Sequence, residues 1–220
     1  MADGGTARLS TVAALRAAAA RRPALAAFVF SYLIGFTVAG LAVRAELTVP
    51  YLVVVATLLL VVVRLDLRFD LGTVLLWSLA VWGLAHMAGG IVPLDGDRVL
   101  YNARFGPDLF RYDRFVHAFG FGSATIACGR VLRHWLPGGR FDLTPAGIVV
   151  LAGMGVGGIN EIVEFVATLV LEDTNVGGYD NTGWDLVFDL LGATVAGLWL
   201  MHSTRAGPGP AAGAPGSSGP

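Results

Sequence analysis

The chain has 220 residues, of which 55% are hydrophobic and 14% charged, whereas a soluble domain is nearer a quarter charged. The net charge is -1, all 15 basic residues are Arg, and no basic run occurs. This argues against nucleic-acid binding and against a soluble domain, and for a multi-pass protein of the cell membrane.

Residues 1–23 are Ala- and Arg-rich and predict a cytoplasmic, partly helical arm. Ala24–Val43 is 20 residues without a charge, longer than a signal-peptide core of about 7–15 residues, so it predicts a retained first span. After the tight loop Arg44–Glu46, Leu47–Val63 predicts a second span, with Pro50 in its first turn, where a missing N–H costs little. The charged segment Arg64–Asp70 reads as a short loop. Leu71–Leu94 predicts a third span holding His86, which on its own reads as a packed polar residue. A polar loop, Asp95–Tyr112, leads to a fourth span from Asp113 to Arg130, in which Cys128 is a packing residue that can form no internal disulfide.

Thr144-Pro145 predicts an N-cap with proline at the first helical position of a fifth span, ending near Leu171. Gly153, Gly155, Gly157 and Gly158 crowd that span. Small residues let membrane helices approach closely, and tight packing is favoured over a local break lining a cavity. A loop, Glu172–Thr182, leads to a sixth span over Gly183–His202, with Asp180, Asn181 and Thr182 as capping residues. Residues 203–220 form a Gly/Pro/Ala/Ser tail, predicted to be disordered. The fold class is therefore all-α: a polytopic bundle whose transmembrane domain, 24–202, has six helices. With both termini inside, cytoplasmic segments hold ten Arg and outer segments five, so the arginine bias places both termini in the cytoplasm.

Acids inside spans are the informative feature, because each costs about 2.5–3.5 kcal/mol at mid-membrane. At about 1.5 Å per residue, Glu161 and Glu164 sit roughly 24 and 28 Å up the fifth span, and His86 roughly 22 Å up the third. Descending from the outer face, His117 lies about 6 Å down the fourth span, and Asp185 and Asp189 about 3 and 9 Å down the sixth. Residues far apart in sequence thus meet in one layer near the outer face. Glu161 and Glu164 are i, i+3; Asp113 and His117 are i, i+4, as are Asp185 and Asp189. Each pair therefore shares a helix face. Carboxylates gathered in a dry site cannot all stay ionised without cations: protons, Arg114, a protonated His117 or a metal ion.

Three blocks in order, Tyr112-Asp113-Arg114-Phe115-Val116-His117, Asn160-Glu161-Ile162-Val163-Glu164-Phe165 and Tyr179-Asp180-Asn181-Thr182-Gly183-Trp184-Asp185 running on to Leu191-Gly192-Ala193, resemble the YjdF-like inner-membrane proteins, a family of unknown function. More distantly they resemble VanZ-like proteins, which are associated with glycopeptide resistance. The resemblance spans about residues 95–200 and implies a fold and a location, not a reaction. By resemblance the site includes Asp113, Arg114, His117, Glu161, Glu164, Asp180 and Asp185; Asp189 rests on the depth reading alone.

The residue types suggest chemistry without fixing it. Carboxylates and one His are mostly hard oxygen ligands, suited to a divalent metal. The expected ligands are Glu161, Glu164, His117 and Asp185, which are also the candidate catalytic groups. Arg114, Asp113, Asp180 and Asp189 are candidate substrate-binding residues, with Arg114 as a phosphate clamp on a lipid headgroup. Membrane lipids are the expected partners. The alternatives are a proton-coupled transporter, since intramembrane acids and His form relays, and a structural protein whose acids pair internally. No HExxH, GxSxG or CxxC-type motif occurs, so enzyme status and oligomeric state stay open.

Overall fold

The computed structural model describes residues 9–42, 48–96, 98–107, 110–171, 174 and 177–205. The loop predicted at 44–46, the chain before residue 9 and residues 206–220 of the tail predicted at 203–220 lie outside them; residues 203–205, predicted as disordered, continue the last helix. A short helix, α1 (Thr11–Arg21), precedes six long ones: α2 (Pro23–Ala42), α3 (Thr48–Phe69), α4 (Thr73–Ile91), α5 (Tyr112–Leu132), α6 (Leu143–Val170) and α7 (Tyr179–Arg205). All six are long and apolar enough to cross a bilayer, as the sequence predicts.

The helices form two groups. α2, α3 and α4 pack together, as do α5, α6 and α7, and α4 against α5 joins them. The first group closes on Val29, Tyr32, Val55, Ala80 and Met87. The second closes on small residues. The buried positions of α7 are Asp185, Asp189, Gly192, Ala193, Ala196, Gly197 and Leu200, a stripe with steps of three and four that marks one helix face. The matching stripe on α6 is Val149, Gly153, Gly157 and Glu161. Where α7 crosses α5, a Cβ on Gly192 would strike the Ala118 carbonyl, and Gly122 lies against the Gly192 backbone. Dispersion and close packing, not exclusion of water, hold such contacts in lipid. The outward faces carry exposed Leu, Val, Ile and Phe.

α6 is continuous, so its glycines mark no break. Gly153 and Gly157 face Thr125 and Asp189, while Gly155 and Gly158 face open space.

Three local expectations are corrected. The segment Arg64–Asp70 is not a loop, because α3 runs on to Phe69. Its charges are satisfied without breaking the helix. Arg64 donates to Thr11 of α1 at 3.1 Å, and Arg22 pairs with Asp66 at 2.6 Å and with Asp70 at 3.3 Å. The turn falls instead at Asp70, with φ 49°. The cap of α6 is Asp142, which accepts from the Thr144 N–H at 3.0 Å, so Thr144 and Pro145 lie inside the first turn. Asp180, Asn181 and Thr182 belong to the first turn of α7 rather than to a cap before it.

Asp66 is buried, and its second oxygen accepts the Leu71 N–H at 3.1 Å. It ties α1, the end of α3 and the turn into α4 together. Replacing Asp66 with Ala leaves Arg22 and the Leu71 N–H without this partner. The expected cost is about 1.5–3 kcal/mol, that of a hydrogen bond to a charged group. A thiol-reactive dye reporting thermal exposure of half-buried Cys128 would read this as a lowered Tm. An unchanged Tm would show that α1 is not anchored there.

Candidate functional site

The acidic cluster forms at the end of the bundle opposite the termini, where α5, α6 and α7 converge. α5 is the central helix, buried along most of its length, and it presents His117 to both neighbours. His117 is 5% exposed. Its Nδ1 donates to Asp189 Oδ1 at 2.9 Å and lies 4.0 Å from Glu161 Oε1. Its Nε2 lies 3.7 Å from Asp113 Oδ1, one turn earlier on α5. Asp189 fits because the position facing it on α6 is Gly157, where a Cβ would occupy the space of its carboxylate.

Two amides organise the remaining acids. Asn181 Nδ2 donates to Asp113 Oδ2 at 3.3 Å and to Asp185 Oδ2 at 2.5 Å. Asn160 Nδ2 donates to Glu164 Oε1 at 2.8 Å, one turn along α6. These contacts leave four buried oxygens without a hydrogen bond of ordinary geometry among the described residues: both of Glu161, which the Thr182 and Asn160 side chains approach more loosely, Oδ1 of Asp185 and Oδ2 of Asp189. Glu161 is 8% exposed, Asp185 1% and Asp189 0%. An unpaired buried carboxylate oxygen is costly, so four of them in one cluster are the site's main electrostatic feature. One ligand atom each from Asp113, His117 and Asp185 lie within 4.8 Å of one another, as do one each from His117, Glu161 and Glu164.

Of the residues singled out in the sequence, Asp113, His117, Glu161, Glu164, Asp185 and Asp189 come together. Arg114 is also buried, with its guanidinium 4.6 Å over the Trp184 ring and 5.9 Å from that of Phe188, so it faces α7 aromatics. Asp180 is exposed on the first turn of α7. His86 hydrogen-bonds the Tyr101 hydroxyl at 2.5 Å and packs edge-on against Tyr51 at 5.0 Å. Burial pushes the Tyr101 phenol well above its usual range. Tyr101 therefore keeps its proton, and its hydroxyl and His86 Nδ1 share one hydrogen bond. Gly89 and Gly90 make room for the Tyr101 and Tyr51 rings.

Asn160 and Asn181 were not read as site residues from the sequence. The available signal is spacing: each precedes an acid of the cluster by four residues, so amide and carboxylate share a helix face. The depths also shift. α6 extends nine residues beyond Glu161, and Asp189 lies ten residues into α7. Both acids are thus about 14–15 Å from the nearer helix end, deeper than the sequence spacing predicts for Asp189.

Six apolar helices, three of which close around carboxylates and a histidine, make this a polytopic membrane protein with a buried polar centre. A family model covers most of that architecture. The chain belongs to the family described as "Predicted membrane protein (DUF2238)", matched over residues 24–206. This agrees with the YjdF-like resemblance of unknown function; the more distant VanZ-like resemblance is not confirmed. No curated protein and no solved structure matches the chain.

Proposed function

We propose that the cluster holds a divalent cation at the level of the outer leaflet and engages the polar head of a membrane lipid, with both termini in the cytoplasm as the arginine bias indicates. The observation that carries this reading is the set of buried carboxylate oxygens left without a hydrogen bond of ordinary geometry around His117. Asn181 holds one oxygen each of Asp113 and Asp185, leaving Asp185 Oδ1 free. Asp189 holds His117 Nδ1 and so presents Nε2 beside Asp113. A carboxylate that fixes the far nitrogen of a ligating His is the usual support of a metal ligand. Asp113, His117 and Asp185 form the core of the ligand set, with Glu161 and Glu164 as flanking carboxylates able to ligate or to move a proton. A bound cation would polarise a phosphate oxygen or lower the pKa of water.

The internal hydrogen bonds from Asn160 and Asn181 favour a second reading, in which the cluster is a structural polar network. Metal analysis separates the two. Protein purified with Mn²⁺ and dialysed is expected to retain about one ion per chain, and Asp185→Asn and the Glu161→Gln, Glu164→Gln pair to retain a small fraction of it. Equal metal content in the wild type and both variants would sink the cation site and leave the network.

A further inference from the structure

A cavity of about 540 Å³ lies between the two helix groups. α3 and α6 face one another across it without packing together. Its wall on α6 is the stripe Ile148, Ala152, Val156 and Asn160. One further step of four along the same face is Glu164, to which Asn160 donates. Its floor on α5 includes Ala124 and Cys128, and the same face one and two turns further on carries Gly120 and His117. On α4 it ends at His86. At the other end Leu15 of α1 and Trp135 close it. The lining is hydrocarbon between a polar pair, Arg22 and Asp66, at one end and His86 and Asn160 at the other, Asn160 being the donor to Glu164 of the acidic cluster.

Its dimensions select an occupant. Ile148 to Asn160 is twelve residues of helix, about 18 Å, which gives a mean cross-section of roughly 30 Å² for the 540 Å³ cavity. One hydrocarbon chain, with carbon contacts at 3.5–4.0 Å, needs on the order of 20 Å². Leu58, Val61 and Ile148 along the cavity remain exposed, a route of entry from the bilayer.

We infer that this cleft takes one hydrocarbon chain of a membrane lipid whose polar head lies at the Asp113–His117–Asp185 centre. The lipid-headgroup part rests on the proposed cation site; the chain site stands on the cavity itself. The ligand is thus a lipid with a chain running inward from an outer-leaflet head. Acyl and isoprenyl chains share this chemistry.

Photolabelling in the bilayer tests it. The full chain is reconstituted into phosphatidylglycerol vesicles containing phosphatidylglycerol with a mid-acyl diazirine or, in a parallel arm, a polyprenyl phosphate bearing a diazirine in its chain. Cross-linked peptides are then mapped. Leu151, 72% exposed on the outer face of α6, reports ordinary surrounding lipid. Labelling at Ala124–Cys128 in either arm supports the inference, and the stronger arm identifies the chain. Filling the cleft with Ala152→Trp is expected to lower that labelling about tenfold, the loss produced by about 1.4 kcal/mol of weakened binding, with labelling at Leu151 retained. Labelling at Leu151 but not at Ala124–Cys128 in wild-type protein would overturn the inference, and needs no variant to fold. So would floor labelling that Ala152→Trp and Val156→Phe both leave unchanged. Metal retention without floor labelling ends the chain site alone; floor labelling without metal retention ends the cation site alone.

Discussion

Gly192→Val separates α5 from α7. The new side chain points at the Ala118 carbonyl, and the Gly192 backbone is already in contact with Gly122. Overpacking ordinarily costs about 1–3 kcal/mol because side chains rearrange. Here the obstacle is main chain on a second helix, so the cost falls at or above the top of that range. For a chain of this size, about 3 kcal/mol lowers Tm by roughly 6–12 °C. Gly155→Val is the matched control: a Cβ there meets nothing within 4 Å, and its Tm should stay close to wild type. Equal behaviour of the two variants would mean that the α5–α7 crossing is not as close as described.

His117→Leu removes the donor to Asp189 and the only ring nitrogens set between Asp113, Glu161 and Asp189 among the described residues. Removing one partner of a buried hydrogen bond leaves the other unsatisfied, at a cost of about 1–3 kcal/mol and more when that group is charged. The double variant His117→Leu, Asp189→Leu takes away the stranded carboxylate as well. Its loss of stability should therefore be smaller than the sum of the two single losses, by about 0.5–3 kcal/mol of coupling. Thermal unfolding of the four proteins gives the cycle, and strict additivity would show that the contact carries no energy. Bound Mn²⁺ should fall in every variant that lacks His117.

The long apolar runs made the helix number legible, since charge-free stretches of membrane length have few other readings. The ends were less legible. Arg64, Asp66 and Arg68 look like loop residues until α1 is placed, because the partners that let α3 continue, Arg22 and Thr11, lie more than forty residues earlier in the chain. Membership of the cluster followed from helical spacing and depth, which act within one helix and one layer. The roles of Asn160 and Asn181 depend on how a single amide is aimed between helices, and spacing alone does not fix that. The cleft was illegible for the same reason: hydrophobic stripes that face lipid and those that line a cavity have the same composition.

Along one face of α7 the polar residues grade inward. Asn181 is half-buried, Asp185 1% exposed and Asp189 0%. A cation held as proposed would, on arriving from water, meet the half-buried amide first and the driest carboxylate last, each step about one helical turn deeper. Its water shell would be exchanged for protein oxygens a few at a time instead of in one costly event. If the cluster holds a cation as proposed, Mg²⁺, which gives up water reluctantly, would stop at the upper steps, and larger ions with looser shells would go further down. On this reading the staircase is a filter: ion selectivity would arise from the order of dehydration as much as from the ligands at the bottom.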